Sequence, residues 1–216
     1  MEFLDEKIIE LMNEAQENNN PASKQEETIQ NQDEQEAIDI HQPVIKIDDE
    51  KVRIIDQFLF EEKLQMRMPE SFQFMHPELA ALKYPSERRP AIIYTDESTT
   101  INLALTITDH DLDEEGVEGF QESMVDVLQQ TQSAAKWLEE GITLVSGVNV
   151  GFIEITTPSL DGDIYNLMFF TPVANKALMG TFNCMEEDME DWRPVAKAMI
   201  ETLQIHSQGP SGGEKL

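Results

Sequence analysis

Carboxylates dominate the side chains of this sequence that could do chemistry, and calcium is the first ligand to consider. Asp109, Asp111 and Asp113 have the alternation that opens a calcium loop. Such a loop also needs glycine at its sixth position and a bidentate glutamate at its twelfth. Glu114 and Phe120 stand there instead, so the three aspartates read as a solvated turn that starts a helix. Asp161-Gly162-Asp163 reads as an ordinary turn between strands, with Pro172 at the twelfth position. Zinc needs converging nitrogen, sulfur or carboxylate ligands. His41, His76, His110 and His206 are far apart in the chain, and Cys184 is its one cysteine.

A reactive thiolate needs a helix N-terminus or a cation beside it. Glu186, Glu187, Asp188, Glu190 and Asp191 follow Cys184 and would raise its pKa, so a buried structural cysteine is expected. There is no glycine-rich phosphate loop and no serine elbow. No catalytic residue, metal site or cofactor is assigned, and the expectation is a protein that is not an enzyme.

Two features carry recognition chemistry. Lys83-Tyr84-Pro85-Ser86-Glu87-Arg88-Arg89-Pro90 is the one basic, aromatic and proline-stiffened segment in an acidic chain. Prolines lower the entropy lost on binding, and Tyr and Arg are favoured at interface hot spots. Lys83, Tyr84, Arg88 and Arg89 are therefore partner-binding candidates; the alternative is a structural loop whose arginines are tied to nearby carboxylates. The second feature is Leu4, Ile8 and Leu11, which recur at helical spacing with Met12 and Ala15 over about residues 2–16. Such a helix could dock in a partner's groove, fold back on its own domain or pair with a second copy.

The 216 residues carry 43 acidic and 15 basic side chains, a formal net charge of −28. That field repels phosphate backbones and anionic headgroups, which excludes nucleic acid as an expected partner. No run reaches the ~18–20 apolar residues of a membrane span, and one cysteine allows no internal disulfide. The start lacks the basic and long apolar regions of a secretory signal, so a cytoplasmic protein is expected.

Four stretches follow: an amphipathic helix at 1–17, a disordered acidic linker at 18–50, an α+β domain at 51–206 and a flexible tail at 207–216. Residues 44–47 and 52–55 are strand candidates at the linker's end. Within the domain, 58–60 and 64–68 read as a hairpin, 76–82 as a short helix, and 91–94 and 100–108 as strands. Ile101, Leu103, Leu105 and Ile107 face one way, while Asn102, Ala104, Thr106 and Thr108 face the other. A helix is expected over 113–130, then strands at 142–145, 148–157, 164–171 and 176–184. Leu167-Met168-Phe169-Phe170 is apolar on both faces, which marks a strand covered on both sides. A last helix carries Trp192, Val195, Ala196, Met199 and Leu203, starting just before Pro194 with Asp191 as its N-cap. Hairpin-length links make the sheet mainly antiparallel, flanked by helices.

This order of elements, with Met68-Pro69-Glu70-Ser71-Phe72 as the turn after the first hairpin, resembles the superfamily of the bacterial DcrB proteins, the photosystem subunit PsbP and the Mog-type Ran-binding proteins. The resemblance covers about residues 58–205. It implies a PsbP/Mog-like single domain of bacterial type behind a flexible acidic leader. It also implies a non-enzymatic binding role, as an adaptor or chaperone for a secreted or membrane-directed protein. The other class left open is a small-ligand carrier or enzyme with a pocket between sheet and helices near Tyr94, Tyr165 and Trp137. A scaffold whose acidic surface binds cations loosely is a third. Oligomeric state stays open.

Overall fold

The computed structural model describes residues 38–86 and 89–206. The expected helix with Leu4, Ile8 and Leu11, most of the linker, Arg88 and the tail lie outside the described residues.

The chain opens with β1 (Val44–Ile47) and β2 (Glu50–Leu59), paired antiparallel across Asp48 and Asp49, both at positive φ. β3 (Leu64–Pro69) pairs with β2 as the alternation of Leu64, Met66 and Met68 requires. The folded unit therefore reaches back to at least Val44, into the stretch expected to be linker. Ile45 and Ile47 are buried there, which supplies the apolar area that the short strand β1 needs to order.

β4 (Gln73–Phe74), α1 (Pro77–Lys83), β5 (Ile92–Thr95) and β6 (Asn102–Asp111) follow. Then come α2 (Val117–Thr131), β7 (Lys136–Val145), β8 (Val148–Ser159), β9 (Gly162–Val173) and β10 (Lys176–Met185). A 3₁₀ turn (Glu186–Asp188) leads into α3 (Met189–Glu201), and β11 (Gln204–Ile205) ends the described chain.

The strands form two sheets, β1-β2-β3-β11 and β4-β5-β6-β10-β9-β8-β7, with every pairing antiparallel. The protein is thus an α+β domain, mainly antiparallel sheet flanked by helices. The small sheet and α3 cover one face of the large sheet; Leu103, Tyr165, Leu167, Phe169 and Phe182 of that face share a core with Met66, Val195 and Met199. On the other face, Met168, Phe170 and Ile153 pack against Val117, Phe120 and Met124 of α2. β9 is therefore covered on both sides, as its unbroken apolar run predicts, and each of its large buried side chains contributes about 1.5–3 kcal/mol.

β2 runs unbroken across the two strands expected at 52–55 and 58–60, β4 and β11 are not among the expected strands, and β7 and α3 start earlier than the sequence suggests. β7 begins at Lys136, six residues before Ile142, because an edge strand need not alternate: most of its side chains are exposed, and a bulge falls between Trp137 and Glu139. α3 begins at Met189, with Asp188 and not Asp191 at its N-cap, so Pro194 is its sixth residue. Trp192 stacks on Phe72 and Phe182, with ring centroids 5.8 and 6.1 Å apart, and holds the first turns against the sheets. Pro194 cannot bond the Glu190 carbonyl, but Glu190 is exposed and water can satisfy it. Among the described residues no helix is long and apolar enough to cross a membrane.

Candidate functional site

The 83–90 segment is built around an anchor. Tyr84 lies at the C-cap of α1, donating its N–H to the Ala80 carbonyl at 2.8 Å, and its ring is fully buried with Met75, Ala80, Ile93 and Ala104. It holds the loop to the sheet and offers no surface to a partner. Lys83 donates to the Thr99 carbonyl, and burial pulls its ammonium below the usual lysine range, against the pull of Asp96. Arg89 is half-buried, its N–H donating to the Ser86 carbonyl, while Pro85 points outward and Pro90 is buried. Two apolar side chains that sequence reasoning missed stand open before this segment: Phe74 on β4 is 66% exposed and Leu82 on α1 77%. Leu82 follows the buried Ala80 on a short helix, and only the three-dimensional path of α1 tells which side is outward.

On the opposite side of the molecule a buried carboxylate organises a charged network. Glu154 sits on β8 inside an otherwise apolar and small-residue run and is 0% exposed. Its Oε2 accepts from the Tyr165 hydroxyl at 2.7 Å and from Arg193 Nε at 2.6 Å; its Oε1 lies 3.2 Å from Lys197 Nζ. Glu139 stands directly opposite Glu154 on β7, and like charges so placed repel. Arg193 Nη2 at 3.0 Å and Lys197 Nζ at 2.7 Å from Glu139 relieve that repulsion. Lys197 also lies 5.6 Å above the Phe152 ring. Burial pushes the Glu154 carboxyl up, but Arg193, Tyr165 and Lys197 together hold it below its ordinary value. Burial first, then Glu154, pushes the Tyr165 hydroxyl far up. The two positive and two negative groups balance, and the network clamps α3 to the sheet. Its sequence signal was a single glutamate in the apolar run 148–157, together with Arg193 and Lys197 one helical turn apart.

The three aromatic residues of the pocket reading are not brought together. Tyr94 and Tyr165 belong to the core under the small sheet, while Trp137 pairs with Ile155 on the face that carries α2. Cys184 is buried at the end of β10, and burial, with Asp188 adding to it, pushes its thiol up to about 12. Iodoacetamide at neutral pH is therefore expected to leave Cys184 unmodified in the native protein and to label it in urea. Mass spectrometry showing complete native labelling would contradict this. Asp109 and Asp111 lie at the end of β6 and not in the turn expected there, Asp111 pairing with Lys176 at 2.6 Å, while Asp113 follows the strand and its Oδ1 accepts the Gly116 N–H at 2.9 Å before α2 begins at Val117. Among the described residues no three His, Cys, Asp or Glu side chains converge as metal ligands.

No protein-family model matches the sequence, and no curated protein does. Solved structures do resemble the fold. The cyanobacterial PsbP (CyanoP) of Synechocystis sp. PCC 6803 is similar with a TM-score of 0.52 at 10% identity, over 71% of this chain and 92% of that one. PA94 of Pseudomonas aeruginosa, a protein of unknown function and putative regulator, gives 0.44 at 11%, over 72% and 99%. LpqN of Mycobacterium tuberculosis, involved in cell envelope biogenesis, gives 0.40 at 11%, over 76% and 99%. At such identity the likeness concerns architecture alone, and the chain has an α+β fold like that of cyanobacterial PsbP.

Proposed function

We propose that the protein is a non-enzymatic, cytoplasmic protein-binding module of the DcrB/PsbP/Mog-type superfamily. In this reading it serves as an adaptor or chaperone for a secreted or membrane-directed partner. The observation that carries the reading is the exposure of two large apolar side chains, Phe74 and Leu82, in the stretch that leads to the loop anchored by Tyr84. Exposed apolar side chains beside a loop that carries two prolines are what a protein interface uses, with Arg88 and Arg89 supplying charge. Leu4, Ile8 and Leu11 are assigned a second, tethered contact.

Affinity capture from native lysate with the full chain tests this. Leu82→Glu, on a side chain already in water, is expected to reduce recovery of the bound protein at least tenfold while leaving the melting temperature within a few degrees. Alanine at both Arg88 and Arg89 is expected to weaken it less. Unchanged recovery with both variants would remove this face from the account.

A further inference from the structure

The large sheet ends on β7, ten residues long, and among the described residues no strand pairs with its outer side. The opposite edge is only the two-residue β4. Long open edges are normally blunted by lysines, prolines, inward charges or bulges. The first half of β7 has such protection in its bulge, in Lys136 and in Glu139. Residues 141–145 have none: Gly141-Ile142-Thr143-Leu144-Val145 carries no charge and no proline, and Leu144 is 71% exposed.

The direction of the free backbone groups follows from the hairpin. Val145 pairs with Val148 across Ser146-Gly147, with φ of 50° and 86°, a two-residue turn of the I′ kind. The flanking pair of such a turn exchanges both hydrogen bonds, so Val145, Thr143 and Gly141 bond β8. Leu144, Ile142 and Glu140 then turn their N–H and C=O outward. Their side chains share the sheet face of Ile153 and Ile155, the face that α2 covers.

Charge selects what fits. α2 rides on β8 at Gly151, where a Cβ would come within 3.2 Å of the Gln121 Cβ. Phe120, on the other flank, meets His110 of β6 and Phe170 of β9. The flank with Val125, Glu118 and Glu122 therefore lies toward β7, and both glutamates are exposed. From Asp109 to Ala135 there are eight acidic side chains and no lysine or arginine. Glu140 adds another acid on β7, its carboxyl pushed up by burial. An apolar edge under an acidic wall suits an extended segment that carries both apolar and basic residues on one face, at every second position. Two copies of this chain, each with net charge −28, would bring like charges together.

We infer that β7 is a strand-addition site for an extended, basic and apolar polypeptide segment, with Leu144 and Ile142 taking its apolar side chains and Glu118, Glu122 and Glu140 its cations. The inference rests on the protein-binding reading but uses a face separate from residues 73–90. Main-chain hydrogen bonds supply affinity in this mode, and alternate side chains supply specificity.

The test uses the full chain and a fluorescein-labelled peptide of about nine residues, with valine, isoleucine and lysine sharing every second position and threonine between them, read by anisotropy. An otherwise identical peptide with glutamate in place of lysine is the control. Leu144→Pro removes an outward N–H without touching the β8 pairing, and Leu144→Lys keeps the backbone but adds repulsion. The expected result is binding of the basic peptide that falls with added salt. The acidic peptide and both variants should bind at least tenfold more weakly, with melting temperatures near that of the parent. Equal binding of both peptides, no binding of either, or an unchanged Leu144→Pro would overturn the inference. So would a sedimenting dimer that Leu144→Pro dissolves, which assigns the edge to a second copy. Displacement of the peptide by a synthetic peptide of residues 1–17 would overturn it in favour of the chain's own leader. A Leu144→Pro protein that loses the peptide but still captures its partner through residues 73–90 leaves the protein-binding reading standing. Loss of capture in Leu82→Glu with peptide binding intact separates the two faces from the other side.

Discussion

Glu154→Ala is expected to destabilise the protein by about 3–5 kcal/mol, the usual consequence of removing one partner from a buried charge pair. Arg193 and Lys197 would keep only Glu139, and the buried Tyr165 hydroxyl would lose the oxygen it donates to at 2.7 Å. For a chain of this size the melting temperature should fall by roughly 10 °C. Glu154→Gln keeps the shape and an acceptor for Tyr165 and should cost less, about 1–3 kcal/mol. The pH dependence gives the more specific signature. The folded carboxyl is held below its ordinary value by Arg193, Tyr165 and Lys197, although burial opposes them. Above the ordinary glutamate range, near ~4.3, the carboxylate is ionised in both states and its full contribution is present. As pH falls the unfolded chain takes up its proton first, so the contribution shrinks and is gone below the folded value. Thermal melts across pH 3–7 should therefore show a steeper acid loss in the parent than in Glu154→Gln. Parallel curves would mean that Glu154 carries no linkage.

Gly180→Ala should be nearly as damaging, for a steric reason. Gly180 pairs directly with Phe169 on the neighbouring strand, and the Phe169 ring lies over it, so a Cβ at residue 180 would overlap the ring. Phe169 is fully buried and cannot swing into water. Overpacking of this sort costs about 1–3 kcal/mol or more. Gly180→Ala in a Phe169→Leu background should recover part of the loss, which denaturant melts of the two singles and the double would read as a coupling. Additive losses would show that ring and glycine are independent.

How much of this was legible in the sequence depends on whether packing or topology decided it. β6 and β9 were readable because alternation and a two-sided apolar run report burial directly, and Leu103 and Phe170 are buried as those patterns require. The start of β7 was not readable, since an exposed edge with a bulge leaves no period. The start of α3 was misplaced because the rule against internal proline was outweighed by Trp192 stacked on two rings. Tyr84 shows the same limit at the candidate site. An aromatic between Lys83 and Pro85 looks like a contact residue, and only the path of β5 and β6 places it in a core. The ion pairs of the Glu154 network join residues 39 to 58 positions apart, a convergence that one sequence without topology does not encode.

The folded body is proposed to bind another protein through residues 73–90. Hydrogen exchange on the full chain, alone and with its captured partner, tests it most directly. The account expects new protection over residues 73–90, with the already protected β9 and β10 unchanged. Protection absent from that segment, and gathered instead around Tyr94 and Tyr165 with a co-purifying small molecule, would contradict it.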